Sequence, residues 1–155
     1  MRVNRQALGL SQMMRNQKKA TSFDIALPLM QMKSSVWDNI SIGDIIKLGV
    51  DDVAFVLVYD YEPLAKLAVK EDNIVFSNVM LKSKDLIDTK KYKIIKASLC
   101  QMDIPEQIEE MNLPLEYIDF SRITLSCVDE TIAEGSLVRV DDVLAIKVKE
   151  LVNAG

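Results

Sequence analysis

A chain of 155 residues, 49% hydrophobic and 27% charged, has the composition of a folded protein and room for one ordinary domain or two very small ones. It contains no histidine, which removes the commonest general base, the usual triad partner and the commonest zinc ligand. The net charge of −4 is uneven: Met1 to Phe23 carries +5 and no acid, so the remainder carries −9, a balance that argues against a nucleic-acid surface.

In chain order, residues 1–20 form a basic arm with Arg2, Arg5, Arg15, Lys18 and Lys19. Its apolar positions Val3, Leu8, Leu10, Met13 and Met14 are only loosely helical in spacing. From Phe23 the pattern turns to strands. "FDIALPLMQM" is followed by the polar "KSSVWDN", where the single tryptophan, Trp37, is expected to pack on the core or cover a strand edge. "IGDIIKLG" reads as a strand entered through Gly43-Asp44 and left through Gly49. Gly43 suits a tight entry, and the Asp44 carboxylate suits a cap on backbone N–H groups. Asp51-Asp52 reads as a turn.

Three apolar runs then follow between Val53 and Leu81. Asp60 and Pro63 are expected in the first turn between them, and Asp72-Asn73 in the second. Lys82 to Lys91 is the most hydrophilic stretch, and 84–91 is the expected linker. The second half opens with the strand-like "YKIIKASLCQM". A short helix is expected over "IPEQIEEMNLP", with Pro105 at its first turn and Glu106 soon after. "RITLSCVDETIAEGSLVRV" and "LAIKVKELV" close the chain as strands. In the final hairpin Leu144, Ile146 and Val148 form a buried stripe, alternating with Ala145, Lys147 and Lys149. Leu137 and Val138 adjoin without a polar residue between them, so one of the two must face away from its own core.

This hairpin has a twin. "YDYEPLAKLAVKEDNIVFSNV" (59–79) and "VDETIAEGSLVRVDDVLAIKV" (128–148) share an order of strand, acidic turn, strand, acidic turn, strand. Asp60 falls on Asp129 and Asp72 on Asp141, both at an offset of 69 residues after a one-residue adjustment between them. The expected organisation is therefore an arm (1–20), a first β unit (21–83), a linker (84–91) and a second β unit (92–155).

"TIAEGSLVRVDDVLAIKVKEL" resembles the closing segment of SPOA (surface presentation of antigens) domains, and "ISIGDIIKLG" resembles their GD segment. Such domains occur in flagellar motor-switch proteins and in the cytoplasmic ring, or sorting platform, of type III secretion systems. The resemblance covers about 22–152. The second copy has "NLPLEYIDF" where the GD step would stand, and the first has Leu67 near the place of Gly135. What the resemblance implies is a mainly β chain of two small SPOA-like β-barrel units, strand-swapped or intertwined, with short helical turns. It also implies docking through an apolar patch that starts just after Gly135, here Leu137 and Val138, interrupted by Arg139. The implied partners are other ring or export-apparatus subunits, with self-association or hetero-oligomer formation. The implied location is the cytoplasm, at the cytoplasmic face of the inner membrane through those partners.

The residues themselves point the same way. A unit of about 65 residues buries only roughly 60% of its unfolded surface, and open strand edges must be covered. Cys100 and Cys127 lack the spacing of a metal site or disulfide framework and read as reduced core residues. Asp129, Glu130, Glu134, Asp141 and Asp142 lack the spacing of a calcium loop and read as solvated turn acids. Ser34, Ser35 and Ser121 lack a base partner. No apolar run reaches the length of a membrane span. The expectation is a non-enzymatic binding protein with no cofactor, no metal, no nucleic acid and no membrane insertion. The alternative is a small β-barrel module for RNA or a ligand, whose strands should carry exposed aromatic and basic residues.

Overall fold

The computed structural model describes residues 23–48, 50, 52–59, 61–81, 89–103, 110–128 and 130–152. The basic arm, residues 84–88 of the linker, Asp51, Asp60, Asp129 and residues 104–109 of the helix expected over "IPEQIEEMNLP" fall outside them. The end of that stretch, Asn112–Pro114, is a strand and not helix, paired to a neighbouring strand edge. The chain is mainly β, antiparallel, with short helical turns. Its elements are β1 (Phe23–Ala26), β2 (Met30–Lys33), α1 (Ser34–Asp38), β3 (Ile45–Lys47), β4 (Phe55–Tyr59), β5 (Glu62–Lys70) and β6 (Asn73–Met80). They continue with β7 (Tyr92–Met102), β8 (Asn112–Pro114), β9 (Ile123–Cys127), β10 (Glu130–Val140) and β11 (Val143–Leu151).

Local chemistry explains several boundaries. "FDIALPLMQM" splits into β1 and β2 around Pro28, which has no N–H to give a ladder. Pro63 lies within β5, opposite Val58, where the register shifts, and not in the turn where its sequence neighbours suggest it; a bulge tolerates the missing donor. The turns of the two long hairpins are Glu71-Asp72 and Asp141-Asp142, with φ of 52° and 64° in the first and 51° and 64° in the second. Two successive residues at positive φ give the turn whose twist matches the flanking strands, and aspartate tolerates that region better than most residues. The first turn is thus Glu71-Asp72, one residue earlier than the expected Asp72-Asn73.

The repeat is present with corrected offsets. The strand ends Tyr59 and Glu62, paired across the first turn, match Cys127 and Glu130, an offset of 130 − 62 = 68. Glu71-Asp72 matches Asp141-Asp142, an offset of 142 − 72 = 70. A single offset of 69 averages the two. The extra pair of residues lies in β10, between the register shift at Glu134/Gly135 and the turn; the equivalent shift in β5 is at Lys66/Leu67.

The chain divides into two compact units, and each draws on both halves of the sequence. The first comprises 1–26, 54–83 and 100–118, with strand order β1-β4-β5-β6-β8. The second comprises 27–53, 84–99 and 119–155, with order β3-β11-β10-β9-β7 and β2 pairing with β7. Short strands have changed places. β8, from the second half, pairs with β6, while β3, from the first half, pairs with β11. Expected strand exchange is therefore observed, but closure is not: each order is an open path, and the sheet does not form a barrel. A three-residue strand covers the outer edge of each hairpin, which shortens the exposed ladder without joining the two ends of the path.

The first unit's core includes Ile25, Leu57, Val58 and Ile74; that of the second includes Trp37, Ile95, Ile123, Leu125, Ile146 and Val148. Trp37 is 2% exposed on α1 and packs as core, as its position between strands suggested. No helix among the described residues is long and apolar enough to cross a membrane.

Candidate docking face on the closing hairpin

The closing hairpin belongs to the second unit, and its register assigns a face to every residue. Leu137 stands opposite Ile146, and Gly135 opposite Val148; these share the face of the buried stripe Leu144, Ile146 and Val148. Val138 stands opposite Ala145, and Val140 opposite Val143, on the other face. Adjacent strand residues point to opposite sides, so Val138 is the outward member of the pair whose assignment the sequence leaves open.

β3 extends both faces. Ile46 pairs with Ile146 on the core side, while Lys47 pairs with Ala145 and Ile45 with Lys147 on the outer side. The outer face thus groups Val138, Val140, Val143, Ala145 and Ile45, with Lys47 and Lys147 beside them. Ile45 is 42% exposed, whereas Val138 and Val140 are half-buried and Ala145 is fully buried. This is a shallow apolar strip with cations at one side. Arg139 falls on the stripe's face, opposite Leu144, but at the exposed end of the hairpin, and its Nη1 donates to the Asp142 carbonyl at 3.1 Å. It therefore braces the turn and does not interrupt the outer strip.

Two glycines hold this arrangement. Gly43 has φ +96°, a region that strains other residues, at the entry to β3. Its N–H donates to the Val148 carbonyl at 2.8 Å, and the Val148 N–H donates to the Asp44 carbonyl at 2.9 Å. The Asp44 carboxylate accepts the Ser41 N–H at 2.8 Å, the capping role read from the sequence. Past β3 the edge stays occupied: the Leu48 N–H donates to the Leu144 carbonyl, and the Leu144 N–H donates to the Val50 carbonyl. Gly135 supplies closeness, since a Cβ there would lie 2.6 Å from the Lys147 carbonyl oxygen.

Leu137 and Val138 are thus brought together with β3, and β3 is what the sequence reading of the patch missed. Its signal was the alternation of Ile45 and Lys47 after Gly43-Asp44, but their partner across the ladder lies about a hundred residues on in the chain. Tyr92 and Tyr117 are also exposed, at 37% and 67%.

Other reactive groups are placed as follows. Cys127 is buried and Cys100 half-buried, and neither is in a disulfide. Burial, with Asp24 nearby, pushes the Cys100 thiol up from its ordinary value, which keeps it protonated and a poor nucleophile. At Asp119 the Ser121 hydroxyl and then the Ser121 N–H hold the carboxyl below its usual range, with Arg122 and Lys149 nearby. Glu134 pairs with Arg122 at 3.3 Å. Among the described residues no group of three acids or cysteines is placed to hold a metal ion.

No family model matches this chain, and no curated protein matches it in sequence.

Proposed function

We propose that this chain is a non-enzymatic adaptor of SPOA type, a part of the cytoplasmic ring or sorting platform of a flagellum or type III secretion system. It would act by binding other ring or export-apparatus subunits at the outer face of β10, β11 and β3. The observation that carries the reading is the reciprocal exchange of β3 and β8 between two copies of one β unit. Exchange of this kind is what the resemblance implies for tandem SPOA copies paired within one chain. Bulk binding energy at such a face comes from a few apolar anchors, here Val138 and Ile45, with Lys47 and Lys147 favouring an acidic rim on the partner.

The test is genetic and biochemical together. A tagged chain is purified from its native cell, and its gene is deleted and complemented. Co-purification of ring or export subunits, with loss of secretion or motility restored by the wild type and not by Val138→Glu, is expected. Normal secretion and motility in the deletion strain would overturn the reading.

A further inference from the structure

Away from the docking face, the second unit carries a cavity of ≈ 400 Å³ lined by Lys33, Ser34, Ser35, Lys90, Lys91 and Tyr92. Of the described residues that line it, three are lysines and none is acidic. No ion pair joins Lys33, Lys90 or Lys91 to a carboxylate among the described residues. In a protein of net charge −4, three lysines lining one cavity, with no acid among its described lining residues, favour a local positive potential.

The cavity's frame is held by backbone. Lys33 pairs with Tyr92 at the end of the β2–β7 ladder, and the Ser34 N–H donates to the Lys91 carbonyl at 2.7 Å. The Thr89 hydroxyl accepts the N–H groups of Lys91 and Tyr92 at 3.2 and 3.0 Å, and the Thr89 N–H donates to the Tyr92 carbonyl. The backbone turn that carries Lys90 and Lys91 is thereby held beside the end of β2, where Lys33 stands. Ser34 adds a second observation, because its hydroxyl is buried with no hydrogen-bond partner. A buried hydroxyl left unpaired costs about 1–3 kcal/mol, and a serine side chain has three staggered wells to choose among. An acceptor arriving in the cavity would give that hydroxyl a partner in one of them.

We propose that this cavity binds the phosphate group of a small phosphorylated molecule. A phosphate monoester carries a charge of about −1.5 to −2 at neutral pH and three acceptor oxygens, one for each ammonium, where a carboxylate brings a single charge. The volume lies at the low end of the range for small-molecule sites, roughly 300–1,000 Å³. The exposed ring of Tyr92 offers a flat contact to the organic part of the ligand.

The test is an amide-resolved NMR titration of the full chain with inorganic phosphate and, separately, with adenosine monophosphate, ionic strength being held constant with sodium chloride. Saturable shifts confined to residues 33–35 and 89–92 are expected, with dissociation constants of about millimolar or tighter. Lys90→Gln with Lys91→Gln should weaken binding at least about tenfold, since two of three charges are lost. Ser34→Ala should weaken it by a smaller factor. Circular dichroism confirms that each variant remains folded; the lysines are exposed, so folding should persist. Tighter binding of the nucleotide assigns Tyr92 to the ligand, and equal binding assigns a phosphate-only subsite. Absence of saturation with either probe, shifts spread over the whole chain, or unchanged affinity in the double variant would overturn the proposal.

Discussion

An added Cβ at Gly135 would stand 2.6 Å from the Lys147 carbonyl oxygen and 2.7 Å from Ile146 Cγ2. Both obstacles are rigid, one being backbone and the other a side chain that is fully buried. β10 and β11 therefore meet at Gly135 more closely than any other residue allows. Gly135→Ala should destabilise the second unit by about 1–3 kcal/mol, the usual cost of overpacking. Thermal unfolding checks it. At the equivalent register shift of the other hairpin stands Leu67, already a full side chain, so Leu67→Ala should cost through a cavity instead.

The entry to β3 should be sensitive for a different reason. Gly43 has open space around it, so its constraint is conformational and not steric. Gly43→Ala should cost on the order of 1–3 kcal/mol through backbone strain alone. Asp44→Ala should cost about 0.5–1.5 kcal/mol by removing the acceptor of the Ser41 N–H. Denaturant melts of both variants, with hydrogen exchange at Ile46, should report a loosened β3. Unchanged exchange there would show that β11 holds β3 without the loop.

On the closing hairpin, Ile146→Asp should unfold the second unit, because Ile146 is fully buried and an unpaired carboxylate there is strongly unfavourable. Leu137→Glu, on the same face, should be destabilising but less so, Leu137 being half-buried. Val138→Glu, on the outer face, should stay folded and lose partner binding. Circular-dichroism melting beside pull-down of ring and export subunits separates the three. If Val138→Glu binds as the wild type does, the docking face lies elsewhere.

Exchange of β3 and β8 predicts how the halves behave apart. A fragment of 21–84 keeps β3 but lacks the β11 it pairs with, and 90–155 keeps β8 but lacks β6. Each alone should be unstable or self-associated, and the two mixed should form a one-to-one complex with a cooperative melt. Mass in solution decides this. Two monomeric, independently stable fragments would contradict the exchanged pairing.

Asp119 should titrate below the ordinary carboxylate value, held down first by the Ser121 hydroxyl and then by the Ser121 N–H. A depressed folded-state value means that its contribution to stability is present above the unfolded value and is lost as pH falls through the folded one. Carboxyl-detected NMR should find a midpoint below about 3.9, and Ser121→Ala should move it upward. An unmoved midpoint would assign the shift to the Ser121 N–H, which the variant keeps, with Arg122 and Lys149.

Much of this architecture was legible before folding. Strand-like apolar runs marked β7 and β9, alternation with a period of two marked β10 and β11, and the stripe Leu144, Ile146 and Val148 is buried as read. Gly43-Asp44 showed its turn chemistry because the constraint is local: a glycine for φ and a carboxylate three residues from the N–H it caps. The repeat was visible too, since two copies of one unit need the same order of strands and acidic turns.

Three things were decided only by tertiary structure. The partner of β3 is β11, a choice set by which hairpin edge stands open, and no local pattern records it. The outward member of Leu137 and Val138 follows from register, which slides both residues to opposite faces for a shift of one. And the two-residue excess of β10 over β5 lies between a register shift and a turn, where pairing across strands, not spacing along one, determines the count. Local chemistry fixes turns and strands; the choice of which edges meet is made by burial across the whole chain, and so appears only once it has folded.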